Sequence, residues 1–158
     1  MDVNGFKGPN SEARNGKQYD IRSFKVAKFS TGCAGNDING IGCVYVLPSF
    51  SPIKAGNEEM DKWDPKWAKN RYLVSRDNYW AGAKKACDDI GMSLPDTSKM
   101  NKIYYSKKYS NLLNSSWFWI SEELEGGIGA HAYILRGDDG YYYDAKWSST
   151  TKALCVGD

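Results

Sequence analysis

A chain of 158 residues suffices for one domain, or one domain with a structured extension, and can bury a real core. Its 21 basic and 19 acidic residues leave a formal charge of +2, too near balance to argue for nucleic acid or for contact with an anionic membrane. Four cysteines and one histidine supply no zinc set at familiar spacing, and no apolar run approaches the roughly 20 residues that span a bilayer.

The first 48 residues differ from the rest, and the expected division is 1–48 as a β- and turn-rich segment and 49–158 as the main domain. Asp2-Val3-Asn4-Gly5-Phe6-Lys7-Gly8-Pro9-Asn10 is turn chemistry, because Gly and Asn tolerate positive φ and Pro fixes its own. It has neither the basic stretch nor the apolar core of a secretory signal, so the expectation is a chain whose export or anchor segment is missing. Tyr19 to Phe29 alternates, with Ile21, Phe24, Val26 and Phe29 apolar, and predicts a strand or two. Thr31 to Gly42 returns to Gly, Asn and Asp between Cys33 and Cys43. Val44-Tyr45-Val46-Leu47 then reads as a short buried strand stopped by Pro48. Residues 49–70, with Pro52 and Pro65, predict a long irregular loop pinned by Trp63 and Trp67.

The clearest helix is predicted from about Asp77 to Ile90. Asp77 or Ser75 caps it, Trp80, Ala83, Cys87 and Ile90 share one face, and Gly91 ends it in a left-handed cap. A second helix begins after Pro95, capped by Asp96 or Thr97, and turns Met100, Ile103 and Tyr104 inward. Strands follow at Trp117–Ser121, Ala130–Leu135, Gly140–Asp144 and Lys152–Val156, separated by Gly-rich or Asp-Asp-Gly turns. Strands, two helices, then more strands argue for α+β.

The four cysteines permit three pairings. The expected one joins Cys33 to Cys43 across a short local loop and Cys87 to Cys155 as a long-range staple, as suits an exported protein.

The landmarks together resemble a known fold. Trp80-x-x-Ala83-x-x-x-Cys87 is similar to the first helix of C-type lectin-like domains. Phe118-Trp119-Ile120-Ser121 resembles their aromatic core strand, and Leu154-Cys155-Val156 their closing strand. With Gly91-Met92-Ser93-Leu94-Pro95, the series resembles the bacterial branch of such domains over about residues 72–158. The opening Asp2–Asn10 element, followed by Tyr19-Asp20-Ile21, resembles a stretch of type IV pilin-like and pseudopilin-like proteins, in which a hydrophobic helix comes first. The fold so implied is C-type lectin-like, with two helices and a mixed or antiparallel sheet, preceded by a short β-rich pilin-like extension.

Sugar-binding members of that family hold calcium through Glu-Pro-Asn or Gln-Pro-Asp and then Trp-Asn-Asp, which supply the oxygens a hard cation requires. Here the loop reads Glu122-Glu123-Leu124-Glu125-Gly126-Gly127-Ile128-Gly129, and Asp144-Ala145-Lys146-Trp147-Ser148 puts a lysine where it would repel a cation. The acidic residues are expected to form a solvated loop, with no metal and no cofactor. Asp2, Asn4, Asn10 and Asp20 suggest a cation ring, but Ala13 stands where a calcium loop of the EF-hand type ends in glutamate, so turn formation is the reading.

No catalytic set emerges. His131, in a predicted strand with its side chain opposite Ile134, has no Ser or Cys nucleophile motif beside it. Glu122/Glu123 and Asp138/Asp139 are sequence neighbours, which does not establish two carboxyls across a cleft. Gly126-Gly127-Ile128-Gly129 lacks the Lys-Ser/Thr of a phosphate loop. The richer signal is Tyr141-Tyr142-Tyr143-Asp144-Ala145-Lys146-Trp147-Ser148-Ser149-Thr150-Thr151. Tyr and Trp offer rigid contact area at low entropic cost, while Ser and Thr adapt their hydrogen bonds. The same stretch also reads as an ordinary strand with Tyr142 packed inward, whereas Trp80 and Trp119 are core. The candidate ligand-binding residues are Glu122, His131, Tyr133, Tyr141, Tyr143, Asp144, Trp147 and Ser148. The expected function is extracellular or cell-surface recognition of a protein or glycan ligand, without catalysis. The resemblance extends to variable proteins diversified by retroelements, for which residues 138–151 suit the variable face. The alternative is a minor pilin or pseudopilin subunit that contacts only other members of a pilus or surface assembly.

Overall fold

A computed structural model describes residues 37–38, 41–107, 113, 116–125, 128–137 and 139–157. The expected turn at Asp2–Asn10, the strand at Tyr19–Phe29, Cys33 and Asp138 lie outside the described residues. What is described is α+β. The chain divides into two compact units: 1–44 with 88–92 and 156–158, and 45–87 with 93–155.

In the smaller unit, β1 (Asp37–Ile38) pairs antiparallel with the start of β2 (Gly42–Val46), Asp37 opposite Cys43 and Ile38 opposite Gly42. Gly42, at φ +92°, takes a conformation that a side chain would oppose. These strands belong to a sheet of order β1-β2-β6, with β6 at Leu154–Gly157, of which residues 156–157 lie in this unit. The expected turn region before Cys43 therefore contains a short strand.

In the larger unit, residues 49–70 are less irregular than expected. They contain two one-turn helices, α1 (Met60–Trp63) and α2 (Pro65–Ala68), separated by Asp64. Pro65 sits at the first position of α2, where its missing N–H costs nothing. Trp67 is fully buried in a cluster with Ile53, Met60, Leu73, Ala81 and Ala130, against which Trp63 packs partly buried. Both tryptophans thus pin the segment as expected.

Helix α3 (Tyr79–Asp89) buries Trp80, Ala81, Gly82, Ala83, Ala86 and Cys87. Its capping bond comes from neither Ser75 nor Asp77: the Asn78 Oδ1 accepts the Ala81 amide at 2.8 Å. Asp77 instead accepts the Ala55 amide at 3.0 Å, which holds its carboxyl below the usual range. Gly91, at φ +76°, follows the helix in the predicted left-handed conformation. Helix α4 (Thr97–Tyr105) starts as predicted, with Asp96 accepting the Lys99 amide at 2.8 Å. It buries Met100 and Ile103, while Tyr104 stays half-buried.

Three strands form the second sheet in the order β3-β4-β5: Trp117–Glu123, His131–Arg136 and Gly140–Ala145, all antiparallel. Among the described residues the strands form two sheets where one is expected. Lys152 joins the free side of β3 through a parallel bridge to Phe118, so the predicted strand start at Lys152 belongs to this edge. Cys87 and Cys155 are disulfide-bonded across 68 residues, as expected. Cys43 is disulfide-bonded too, while the expected pairing with Cys33 reaches outside the described residues.

Candidate functional site

Register assigns each side chain of the β4–β5 hairpin to a face, because directly paired residues share one. His131 pairs with Ala145, Tyr133 with Tyr143 and Leu135 with Tyr141, so four of the candidate residues fall on one face. Ala132 with Asp144, Ile134 with Tyr142 and Arg136 with Gly140 form the other. His131 is thus opposite Ile134, as its spacing predicts.

The first face is divided along its length. At one end α4 covers it: the Tyr141 hydroxyl donates to Asn101 Oδ1, and Thr97 Oγ1 donates to Glu122. Burial, with the neighbouring Tyr105, Glu122 and Tyr104, pushes the Tyr141 phenol up from 10.0 to about 12. At the other end the rings are open. His131 meets Tyr143 edge to face at 5.5 Å and Trp147 at 6.3 Å. Tyr143 is 57% exposed and Trp147 38%. The Arg76 guanidinium lies 4.4 Å from the Trp147 ring, and Trp67 sits 6.3 Å from it. An arginine over an indole stabilises by cation–π attraction. This gathers half-buried His131 with exposed Tyr143 and Trp147 into one cluster, with Arg76 as a member absent from the sequence-based candidates.

The opposite face carries a second stack. The Arg136 guanidinium sits between Trp117, at 4.8 Å, and Tyr142, at 4.6 Å. Tyr142 is 40% exposed rather than packed inward, on an edge strand where Arg136 lies over its ring.

The remaining candidates sit differently. Tyr133 is half-buried between His131 and Leu135 along β4. Asp144 is held by its own turn: Oδ2 accepts the Thr151 hydroxyl at 3.0 Å and Oδ1 the Ala145 amide at 2.8 Å. Ser148 Oγ lies 3.2 Å from Thr150 Oγ1. Glu122 is exposed at the α4-covered end, apart from the open rings. Asp144 and Glu122 therefore brace the face.

Beneath the open cluster lies a charged cage. Lys146 is fully buried, with Nζ 2.8 Å from Asp64 Oδ2 and 2.6 Å from Glu123 Oε1, and 4.2 Å from the Trp80 ring centre. Asp64 is also fully buried and takes a second bond from Asn78 Nδ2 at 2.8 Å. Asn78 thereby links the cage to the start of α3, and the Tyr79 amide donates to the Lys146 carbonyl at 2.7 Å. Glu123 reaches the cage because β3 bulges. Trp119 pairs with Ile134 and Glu123 with Ala132, so four steps of β3 match two of β4. Glu123 is accordingly a strand residue holding a buried ammonium, which corrects the solvated-loop reading of Glu122 and Glu123. Lys84, 3.9 Å from the Trp80 ring centre, has its ammonium pushed down by burial.

Among the described residues no group of three or more His, Cys, Asp or Glu is arranged to hold a metal, and no helix is long and apolar enough to cross a membrane. Asp2, Asn4, Asn10 and Asp20 lie outside the described residues. Neither a protein-family model nor a curated protein matches the chain.

Proposed function

We propose that this chain is a non-enzymatic, exported recognition domain of C-type lectin-like fold, displayed from a pilin-like or surface-anchored base. The observation that carries the reading is the open cluster of His131, Tyr143 and Trp147, steadied by Arg76. Rigid rings with a polar edge gain contact area on binding while losing little side-chain freedom. The α+β architecture and the helix-to-strand staple of Cys87 and Cys155 support the lectin-like part of the proposal.

The binding chemistry would dispense with calcium. The carboxylates under the face, Asp64 and Glu123, are already engaged by the Lys146 ammonium, so a cation would have to displace it. The ligand is a protein or glycan on another surface, met by the rings themselves. A diversified face fits the same geometry: Tyr142, Tyr143, Trp147, Ser149 and Thr150 are exposed and can change without opening the core, whereas Lys146 and Thr151 are buried.

Glycan and protein arrays test this reading. Saturable binding by the wild-type chain, lost on Tyr143→Ala or Trp147→Ala, is the expected outcome. Absence of binding on both arrays would favour a structural subunit of a pilus or surface assembly.

A further inference from the structure

The cage around Lys146 holds two carboxylates, on which the Lys84 ammonium also acts. Two of the three groups in contact, Lys146 and Asp64, are wholly removed from water. Holding an ion pair in such a place is costly, because desolvation takes back much of the Coulomb gain. A proton passed across the 2.8 Å contact from Nζ to Asp64 leaves an amine beside a carboxylic acid. An amine and a carboxylic acid held in contact are the reactants of an amide.

We propose that Lys146 and Asp64 join in an intramolecular isopeptide bond, with Glu123 relaying the proton. The Nζ lone pair forms a bond to Asp64 Cγ and one Cγ–O bond breaks. The ammonium loses two protons and the carboxylate one oxygen, which depart together as water, so no oxidant, reductant or other reactant is needed. The first proton passes directly from Nζ to Asp64. The second passes through Glu123 Oε1, 2.6 Å from Nζ, to the departing hydroxyl. Glu123 is suited to this step because its side chain is 29% exposed, which joins the cage to solvent and gives the water a way out.

The rest of the cage holds the reactants in place. Asn78 Nδ2 donates to Asp64 at 2.8 Å and the Trp67 amide donates at 3.4 Å. These donors orient the carboxyl and stabilise negative charge as it develops on oxygen. Trp80 closes another side of Nζ, and the backbone of Lys146 is fixed by Tyr79 and Ala130. Reacting groups fixed in contact gain much of what a bimolecular condensation in water lacks. The product removes two buried charges and keeps a donor N–H for Glu123. It also ties two positions 82 residues apart by a link that thiol reductants leave intact.

The test is the intact mass of the folded protein after disulfide reduction. The expected mass is lower than that of the sequence by one water, with a branched proteolytic fragment joining Asp64 to Lys146 and no tryptic cleavage after Lys146. Folded Glu123→Gln is expected to keep the full sequence mass, and Glu123→Ala, which also lacks the carboxylate, serves if the first variant fails to fold. A wild-type chain of full mass, cleaved normally after Lys146, would overturn the bond. A water lost instead at Asp139-Gly140 as a succinimide would overturn it equally, since that adduct leaves Lys146 cleavable. Water loss persisting in a folded Glu123 variant would refute the relay.

Discussion

Lys146 Nζ meets Asp64 Oδ2 at 2.8 Å with both side chains wholly buried, so the turn after β5 is fastened to the segment between α1 and α2 from inside. Trp147, the next residue, stands on that anchor and packs against Trp67, itself three residues from Asp64. The cage and the exposed rings are two sides of one device: charge beneath, aromatic surface above.

Removing one member of the cage leaves the other buried without its partner. Asp64→Ala or Lys146→Met is expected to cost about 3–5 kcal/mol of unfolding free energy. The double change Asp64→Leu with Lys146→Met should recover part of that loss. Urea denaturation of the three variants provides the comparison, and a double variant as unstable as the sum of the singles would count against the pairing.

Gly82 lies in α3 where a Cβ would come 2.2 Å from the Ser51 carbonyl oxygen and 2.6 Å from Pro52 Cα. Both are backbone atoms and cannot rotate away. Gly82→Ala should therefore destabilise, by about 1–3 kcal/mol or more, although alanine is the better helix former. A thermal melt at or above the wild-type midpoint would contradict the close approach.

The Cys87–Cys155 bond closes a long loop between α3 and β6. Replacing both cysteines by alanine should lower stability by about 4 kcal/mol, chiefly by freeing the unfolded chain. Chemical denaturation under non-reducing conditions measures it.

Tyr141 gives the fold an alkaline limit. Its phenol is raised from 10.0 to about 12, chiefly by burial, so the folded chain holds this proton more tightly than the unfolded one. The contribution is complete below pH 10.0 and is lost as pH rises toward about 12. Tyr141→Phe should flatten the stability profile in that window. An identical alkaline loss in the variant would remove Tyr141 from the account.

The frame was legible in the sequence where local chemistry decides it. Asp96 before a helical run, Gly91 after one, and Cys87 on an apolar helix face are signals carried by the chain within a few residues. The Asn78 cap was not, because Asp77 and Asn78 both suit the position and only the distant Ala55 amide takes Asp77 away from it. Nothing local marks Lys146 for burial, since its partners lie 82 and 23 residues earlier. Glu123 beside Glu122 and ahead of Gly126-Gly127 has loop composition, and the bulge that extends β3 depends on pairing with β4. Arg76 was hidden for the same reason: its value comes from the Trp147 ring it covers.

The most direct test of the recognition account compares folded wild-type, Trp147→Ala, Tyr143→Ala and Tyr72→Ala chains against the same array-selected probe in a binding titration. Tyr72 is as exposed as any described aromatic but stacks on Arg71, outside the ring cluster. Saturable binding is expected to survive in Tyr72→Ala and to fall at least tenfold (about 1.4 kcal/mol) in the other two. Equal affinity in all four chains would contradict recognition by the ring cluster.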